Sequence, residues 1–114
     1  MAVYHPGDVV LLLFPFFDGS GGKQRPTLVL VDAGYSDIVV ARVTSHPVRD
    51  GFDVAPVDGA TAGLLRPSTV RLHKVATIDK ALVRGRLGAL TAKDSSRVRQ
   101  TFRCVWSWAI TQPD

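Results

Sequence analysis

The chain has 114 residues, 46% of them apolar, with fourteen Lys and Arg against ten Asp and Glu and a formal net charge of +4. That length fits one domain over 1–114 and no more, and a core of this size can fold unaided. A single cysteine, Cys104, excludes a disulfide scaffold and a cysteine-ligated zinc module and suits a reducing cytoplasm. The modest positive charge is compatible with an anionic partner and equally with plain solubility.

No basic region leading into an apolar one opens the chain from Met1 to Pro6, so no signal peptide is expected. The longest apolar run, Val9 to Phe17, is interrupted by Pro15 and is too short for a bilayer, so the expectation is a soluble cytoplasmic protein without a membrane span. Val9 to Phe14, between Gly7 and Pro15, is continuous in the way of a strand covered on both faces. Phe16 and Phe17 stand just beyond it. Rings there suit stacking on unpaired bases beside basic residues, or one plugs the end of the core, and we expect one ring of each kind. Gly19 to Gly22 makes a flexible loop running into Lys23, Gln24 and Arg25. It lacks the Walker spacing and a strand succeeds it, which excludes a nucleotide-hydrolysing P-loop. Its backbone N–H groups, with Lys23 and Arg25, can still hold a phosphate; the alternative is an ordinary solvated hairpin tip.

Thr27 to Val31 and Ile38 to Val43 read as two further strands, neighbours in one sheet. Thr44 and Ser45 end the third strand with hydroxyls, next to a polar stretch holding His46 and Arg49. They cap a turn, unless strand pairing brings them to Arg25. Phe52 to Ala55 suggests a short strand and Asp58 to Gly63 a turn. From Ser68 to Leu72 the chain is extended again, and alternation puts Thr69, Arg71 and His73 on one face, towards solvent or a cleft, with Val70 and Leu72 inward. Leu82 to Leu90 is the last strand, with Arg84 and Arg86 opposite Val83 and Leu87 and bends at Gly85 and Gly88.

Thr91 followed by Asp94 is a variant of the capping box, and Val98, Phe102, Val105 and Ala109 recur at helical spacing, predicting a helix from Ala92 to Ile110. Trp106 and Trp108 widen that stripe, either finishing the core or facing a partner chain. Many short strands with no βα alternation predict a mostly-β domain, a compact barrel or rolled sheet with the helix over an open end. His5, His46 and His73 have neither helical spacing nor neighbouring carboxylates, so no metal and no cofactor is predicted. There is no Gly-x-Ser-x-Gly elbow.

Taken in order, Gly7-Asp8-Val9-Val10 with Phe14-Pro15-Phe16, Lys23-Gln24-Arg25-Pro26 before Leu28-Val29-Leu30, Val43-Thr44-Ser45 and Ala62-Gly63-Leu64 make a pattern. Pro67-Ser68-Thr69-Val70-Arg71-Leu72, Thr77-Ile78-Asp79-Lys80 and Gly85-Arg86-Leu87-Gly88 complete it. In order and spacing it resembles the MazF/PemK-like toxins of bacterial type II toxin-antitoxin pairs, over nearly the whole chain. The resemblance implies an SH3-like barrel with a C-terminal helix, usually a homodimer. It implies a metal-independent endoribonuclease acting on single-stranded RNA at short motifs, held off by a cognate antitoxin laid across the groove and dimer seam. In that chemistry the ribose 2′-OH attacks the adjacent phosphate, leaving a 2′,3′-cyclic phosphate and a 5′-OH.

By the same resemblance Arg25 and Thr44 are catalytic. An arginine is almost never deprotonated, so Arg25 suits stabilisation of charge on the phosphorane. Phe16, Phe17, Gly22, Lys23, Gln24, Ser45 and Arg71 are the expected RNA-binding residues. Some members carry an arginine and an acid two apart in a later strand; Arg71 matches the arginine, and His73 stands in the place of the acid. His73 then serves as base or acid, or marks an altered activity. Two other classes stay open: a CcdB-like toxin that binds DNA gyrase through the helix end Trp106 to Ile110, and an inactive RNA or protein adaptor.

Overall fold

A computed structural model of the chain describes residues 2–15 and 22–110. The strands are β1 Asp8–Pro15, β2 Gly22–Val31, β3 Asp37–Thr44, β4 Asp53–Val54, β5 Thr69–Asp79 and β6 Val83–Ala89. A turn of 3-10 helix, Lys80–Leu82, joins β5 to β6, and the helices α1 Ala92–Val105 and α2 Ser107–Ile110 close the chain. All strand pairs are antiparallel, in one sheet of order β4-β5-β3-β2-β1-β6. The sheet does not close on itself, because β4 and β6 remain its two ends. "Barrel" therefore describes its curvature and not a complete hydrogen-bonded ring.

Both faces are covered, which is why β1 reads as an unbroken apolar run. On one face Val9, Leu28, Val43, Val70 and Leu72 pack with Val98 of α1, with Phe102 and Val105 against them. On the other, Val10, Leu12, Val29, Ile38 and Val40 pack together under Tyr4, Ile78, Leu82 and Val83.

Three elements depart from expectation. β2 starts at Gly22 rather than Thr27, because β1 pairs along its whole length, through Leu12 opposite Arg25 and Phe14 opposite Lys23. β5 runs on to Asp79 instead of stopping at Leu72, but with a break in register: Arg42 faces Arg71 while Ala41 faces Val75, so Leu72, His73 and Lys74 bulge from the ladder. The predicted single helix breaks at Trp106, whose N–H bonds to the Phe102 carbonyl and whose indole Nε1–H donates to the Leu72 carbonyl at 3.1 Å. Ala109 is consequently exposed and not part of the buried stripe.

The expected bends in β6 are two bulges against β1, since Val9 faces Gly88 but Val10 faces Arg86, and Leu11 faces Gly85 but Leu12 faces Val83. They upset the alternation, so Leu87 is 39% exposed rather than inward. Two glycines are required here by close approach. A Cβ on Gly63, at φ +81, would lie 2.5 Å from the Leu87 carbonyl oxygen, and one on Gly88 would lie 2.8 Å from the backbone of Ala62.

At the start of α1 the Thr91 hydroxyl accepts the Asp94 N–H at 3.2 Å. Asp94 does not reach back to complete a capping box. Its carboxylate accepts the N–H groups of Val57 and Asp58, each at 2.9 Å, and pairs with Arg97 at 3.2 Å. Burial pushes its pKa up, but those backbone donors and Arg97 prevail and leave it below the usual carboxylate value. No helix among the described residues is long and apolar enough to cross a membrane.

Candidate functional site

Of the loop expected at Gly19 to Gly22, residues 19–21 lie outside the described residues, as do the rings of Phe16 and Phe17. The description resumes at Gly22, which opens β2 opposite Pro15, and Lys23, Gln24 and Arg25 are exposed on the stretch of β2 that pairs with β1. The ladder between β2 and β3 begins where Thr27 faces Arg42. Two residues further along each strand, at the same end of the pair, stand Arg25 and Thr44. An antiparallel register gives such positions to facing residues of one face. Extended by two residues the register would set Thr44 opposite Arg25, whereas the observed pairing of β2 with β3 stops at Thr27 and Arg42.

Thr44 ends β3 opposite Thr69 of β5. It is half-buried, and its Oγ1 accepts the His46 N–H at 3.3 Å. That turn uses the hydroxyl as acceptor and leaves its proton free to donate outward. Ser45 and His46 beside it are exposed. The end of the sheet where β2 enters and β3 leaves therefore carries two cations, two hydroxyls and an amide side chain with little competing negative charge among them, a set that suits a phosphate.

Arg71 is not where alternation put it. Thr69, Val70, Arg71 and Leu72 are all buried, because β3 pairs with this stretch of β5 on one side and β4 on the other, with Asp53 facing Arg71 and Val54 facing Val70. Arg71 is only 6% exposed and donates from Nη1 to Asp53 Oδ2 at 2.9 Å. The same oxygen accepts the Arg49 backbone N–H at 2.9 Å. The Arg49 guanidinium Nη2 lies 3.2 Å from His73 Nε2, and the Phe52 ring is tilted against the His73 imidazole, with centroids 5.4 Å apart. His73 itself is exposed, as expected. Its described contacts are to Arg49 and Phe52, and not to Arg25 or Thr44.

Asp53, Arg49 and Phe52 were not among the site residues expected from the sequence, where Arg49 read only as part of a polar stretch and Phe52 and Asp53 as part of a short strand. Asp53 and Arg71 are 18 apart in the chain, and only the pairing of a two-residue strand with β5 joins them. The one available signal was an acid at the start of a short predicted strand, which is common enough to carry no weight alone.

Among the described residues no three His, Cys, Asp or Glu side chains gather as a metal ion would require. Trp106, on which the gyrase-binding alternative leans, is stacked on Phe102 at 5.8 Å and tied to Leu72, although 38% exposed. The side chain of Trp108 lies outside those described.

Known proteins share this architecture. The family profile described as "PemK-like, MazF-like toxin of type II toxin-antitoxin system" matches residues 5–105. Among solved structures, a MazE-MazF complex from Deinococcus radiodurans aligns with a TM-score of 0.75 at 24% identity, over 94% of this chain and 98% of that one. MazF from the same organism aligns with a TM-score of 0.70 at 25% identity, over 94% and 99%. An endoribonuclease from a mycobacterial species aligns with a TM-score of 0.73 at 17% identity, over 94% of each chain. No curated protein matches the chain.

Proposed function

Since the chain belongs to the PemK-like, MazF-like toxins of type II toxin-antitoxin systems, we propose that it is an endoribonuclease that cuts single-stranded RNA at preferred sequences without a metal ion. The observation that supports this reading is the antiparallel pairing of β2 with β3, whose last pair is Thr27 and Arg42, with exposed Arg25 and the hydroxyl-bearing Thr44 next beyond it on the two strands near Lys23, Gln24 and Ser45.

The reaction divides into charge and proton work. As the 2′-oxygen bonds to phosphorus its proton must leave; as the bond from phosphorus to the 5′-oxygen breaks, that oxygen must gain one. Products are a 2′,3′-cyclic phosphate and a 5′-OH. Arg25 stabilises the charge that grows on the non-bridging oxygens, since its guanidinium keeps its proton throughout. Thr44 donates its free hydroxyl proton to the same phosphate, and Lys23 and Gln24 hold the flanking backbone. Gly22 lets the chain approach the strand, and Ser45 adds a further donor. Phe16 and Phe17 stack on bases. Arg71, engaged by Asp53, supports the site from within, and His73 serves as the base or acid.

We extend to this chain a cognate antitoxin, by analogy with the MazE-MazF pair among its structural relatives, a homodimeric state and action in the cytoplasm. The test is incubation of the purified protein with single-stranded RNA in EDTA, with end-group analysis. Fragments bearing 5′-OH ends are expected, and Arg25→Ala should lower the rate about 100-fold or more, as loss of one oxyanion donor does. Absence of such fragments, or an Arg25→Ala variant as fast as wild type, would sink the reading.

A further inference from the structure

Buried polar side-chain atoms almost always find a partner, yet Asp53 departs from this. Its side chain is fully enclosed, and Oδ1 has no hydrogen-bond partner among the described residues. Its bonds fall on Oδ2 instead, which accepts from Arg71 Nη1 and the Arg49 N–H, each at 2.9 Å, with Arg49 Nε 3.9 Å away. A buried ion pair is a weak device for stability, since apolar residues of the same volume often serve a core as well. This one supplies direction, because a single oxygen holds the Arg71 guanidinium and the Arg49 backbone N–H, with the Arg49 guanidinium in ion-pair range at 3.9 Å.

The Arg49 guanidinium also reaches a histidine. Arg49 Nη2 lies 3.2 Å from His73 Nε2. A guanidinium has donors only and no acceptor, so the bond exists only with Nε2 as the acceptor. The imidazole proton therefore sits on Nδ1.

We propose that Asp53 is a positioning residue of the RNA-cleaving site, which through Arg49 holds His73 as the Nδ1–H tautomer with Nε2 masked until an RNA phosphate draws Arg49 away. A phosphate is a stronger partner for a guanidinium than a neutral imidazole, because both partners are charged and can pair bidentately. The Arg49 side chain is 52% exposed and so is placed to meet one. Its departure frees the Nε2 lone pair beside the bound phosphate. His73 then accepts the 2′-OH proton as the new bond to phosphorus forms, and becomes the imidazolium that can return a proton to the 5′-oxygen. This consequence rests on the ribonuclease reading, whereas the tautomer does not.

Nitrogen-15 NMR of histidine-labelled full-length protein, at a pH where His73 is neutral, reads the tautomer directly. The expected result is Nδ1 protonated and Nε2 bare in the free protein, and release of the Nε2 bond on adding a single-stranded 2′-deoxy oligonucleotide, which binds but cannot be cut. Arg49→Ala should return His73 to the Nε2–H form that an unconstrained imidazole favours. Asp53→Asn should do the same and lower kcat on RNA by about 100-fold with KM little changed, as a misplaced reacting group does. Should Asp53→Asn fail to fold, the exposed Arg49→Ala variant decides the matter. An Nε2–H tautomer in the free wild type, or one tautomer shared by wild type and Arg49→Ala, overturns the proposal. A wild type with the Nδ1–H tautomer that cuts no RNA supports the hold of Asp53 and Arg49 on His73 but overturns the ribonuclease reading and, with it, the role in cleavage.

Discussion

Two carboxylates outside the site show how single residues tie distant segments together, and both make acid the condition that loosens the fold. Asp32 accepts the N–H groups of Tyr4 and Gly34, each at 2.8 Å, and pairs with Lys80 at 2.9 Å. The Tyr4 and Gly34 donors, with Lys80, lower its pKa to about 2. Because the folded value lies below the unfolded one, roughly 3.9, this contribution is complete above about pH 4 and is lost as pH falls from there towards 2. Asp32→Asn should accordingly flatten the fall in urea midpoint across that window; an unchanged slope would count against the assignment. Asp94 is also depressed and acts in the same direction. Asp94→Ala leaves the Val57 and Asp58 N–H groups without their acceptor, and about 2–4 kcal/mol of stability should go with it, read from urea denaturation. A loss under about 0.5 kcal/mol would mean that solvent takes over those donors. Neither carboxylate is legible as a clamp in the sequence, where each looks like an ordinary turn or cap residue, since its partners come from other elements.

At the scale of elements, the turn over 57–63 and the last strand meet through two glycines, and the contrast among glycines makes a clean test. Gly63→Ala adds a Cβ against the Leu87 backbone at a positive φ, and should destabilise by more than about 2 kcal/mol. Gly85 has nothing within 4 Å of a built Cβ, so Gly85→Ala should change stability by no more than about 0.5 kcal/mol. Equal effects in thermal melts would contradict the close approach at Gly63. The strands were recognisable because each is a run of β-branched and apolar residues between turn signals. Their ends were not. β2 extends back to Gly22 because β1 lies alongside it, and β5 continues past Leu72 because the bulge at 72–74 restores its pairing with β3. The same bulge, with the covering strand β4, is why Arg71 and His73 part company: one is sealed against Asp53 and the other left in solvent.

For the molecule as a whole, α1 is a structural necessity and not an appendage. Val98, Phe102 and Val105 close the core made by Val9, Leu28, Val43 and Leu72, so a chain ending at Leu90 should lose cooperative unfolding. A sigmoidal melt from that truncation, recorded by circular dichroism, would refute the point. A mostly-β domain with a C-terminal helix, and the family to which it belongs, were legible in the chain alone, because strand and helix periods and the order of short motifs are local properties. Arg25 and Thr44 were named there as candidates through the resemblance to that family, since taken alone they read as a hairpin tip and a turn cap. Folding in three dimensions was needed to establish that the sheet stays open, that the helix breaks where Trp106 turns to Leu72, and that Asp53, Arg49, Arg71 and His73 form one network. Those outcomes depend on which strands pair, in what register and over which bulge. Such choices are settled by contacts between residues far apart in sequence, to which no local pattern is sensitive.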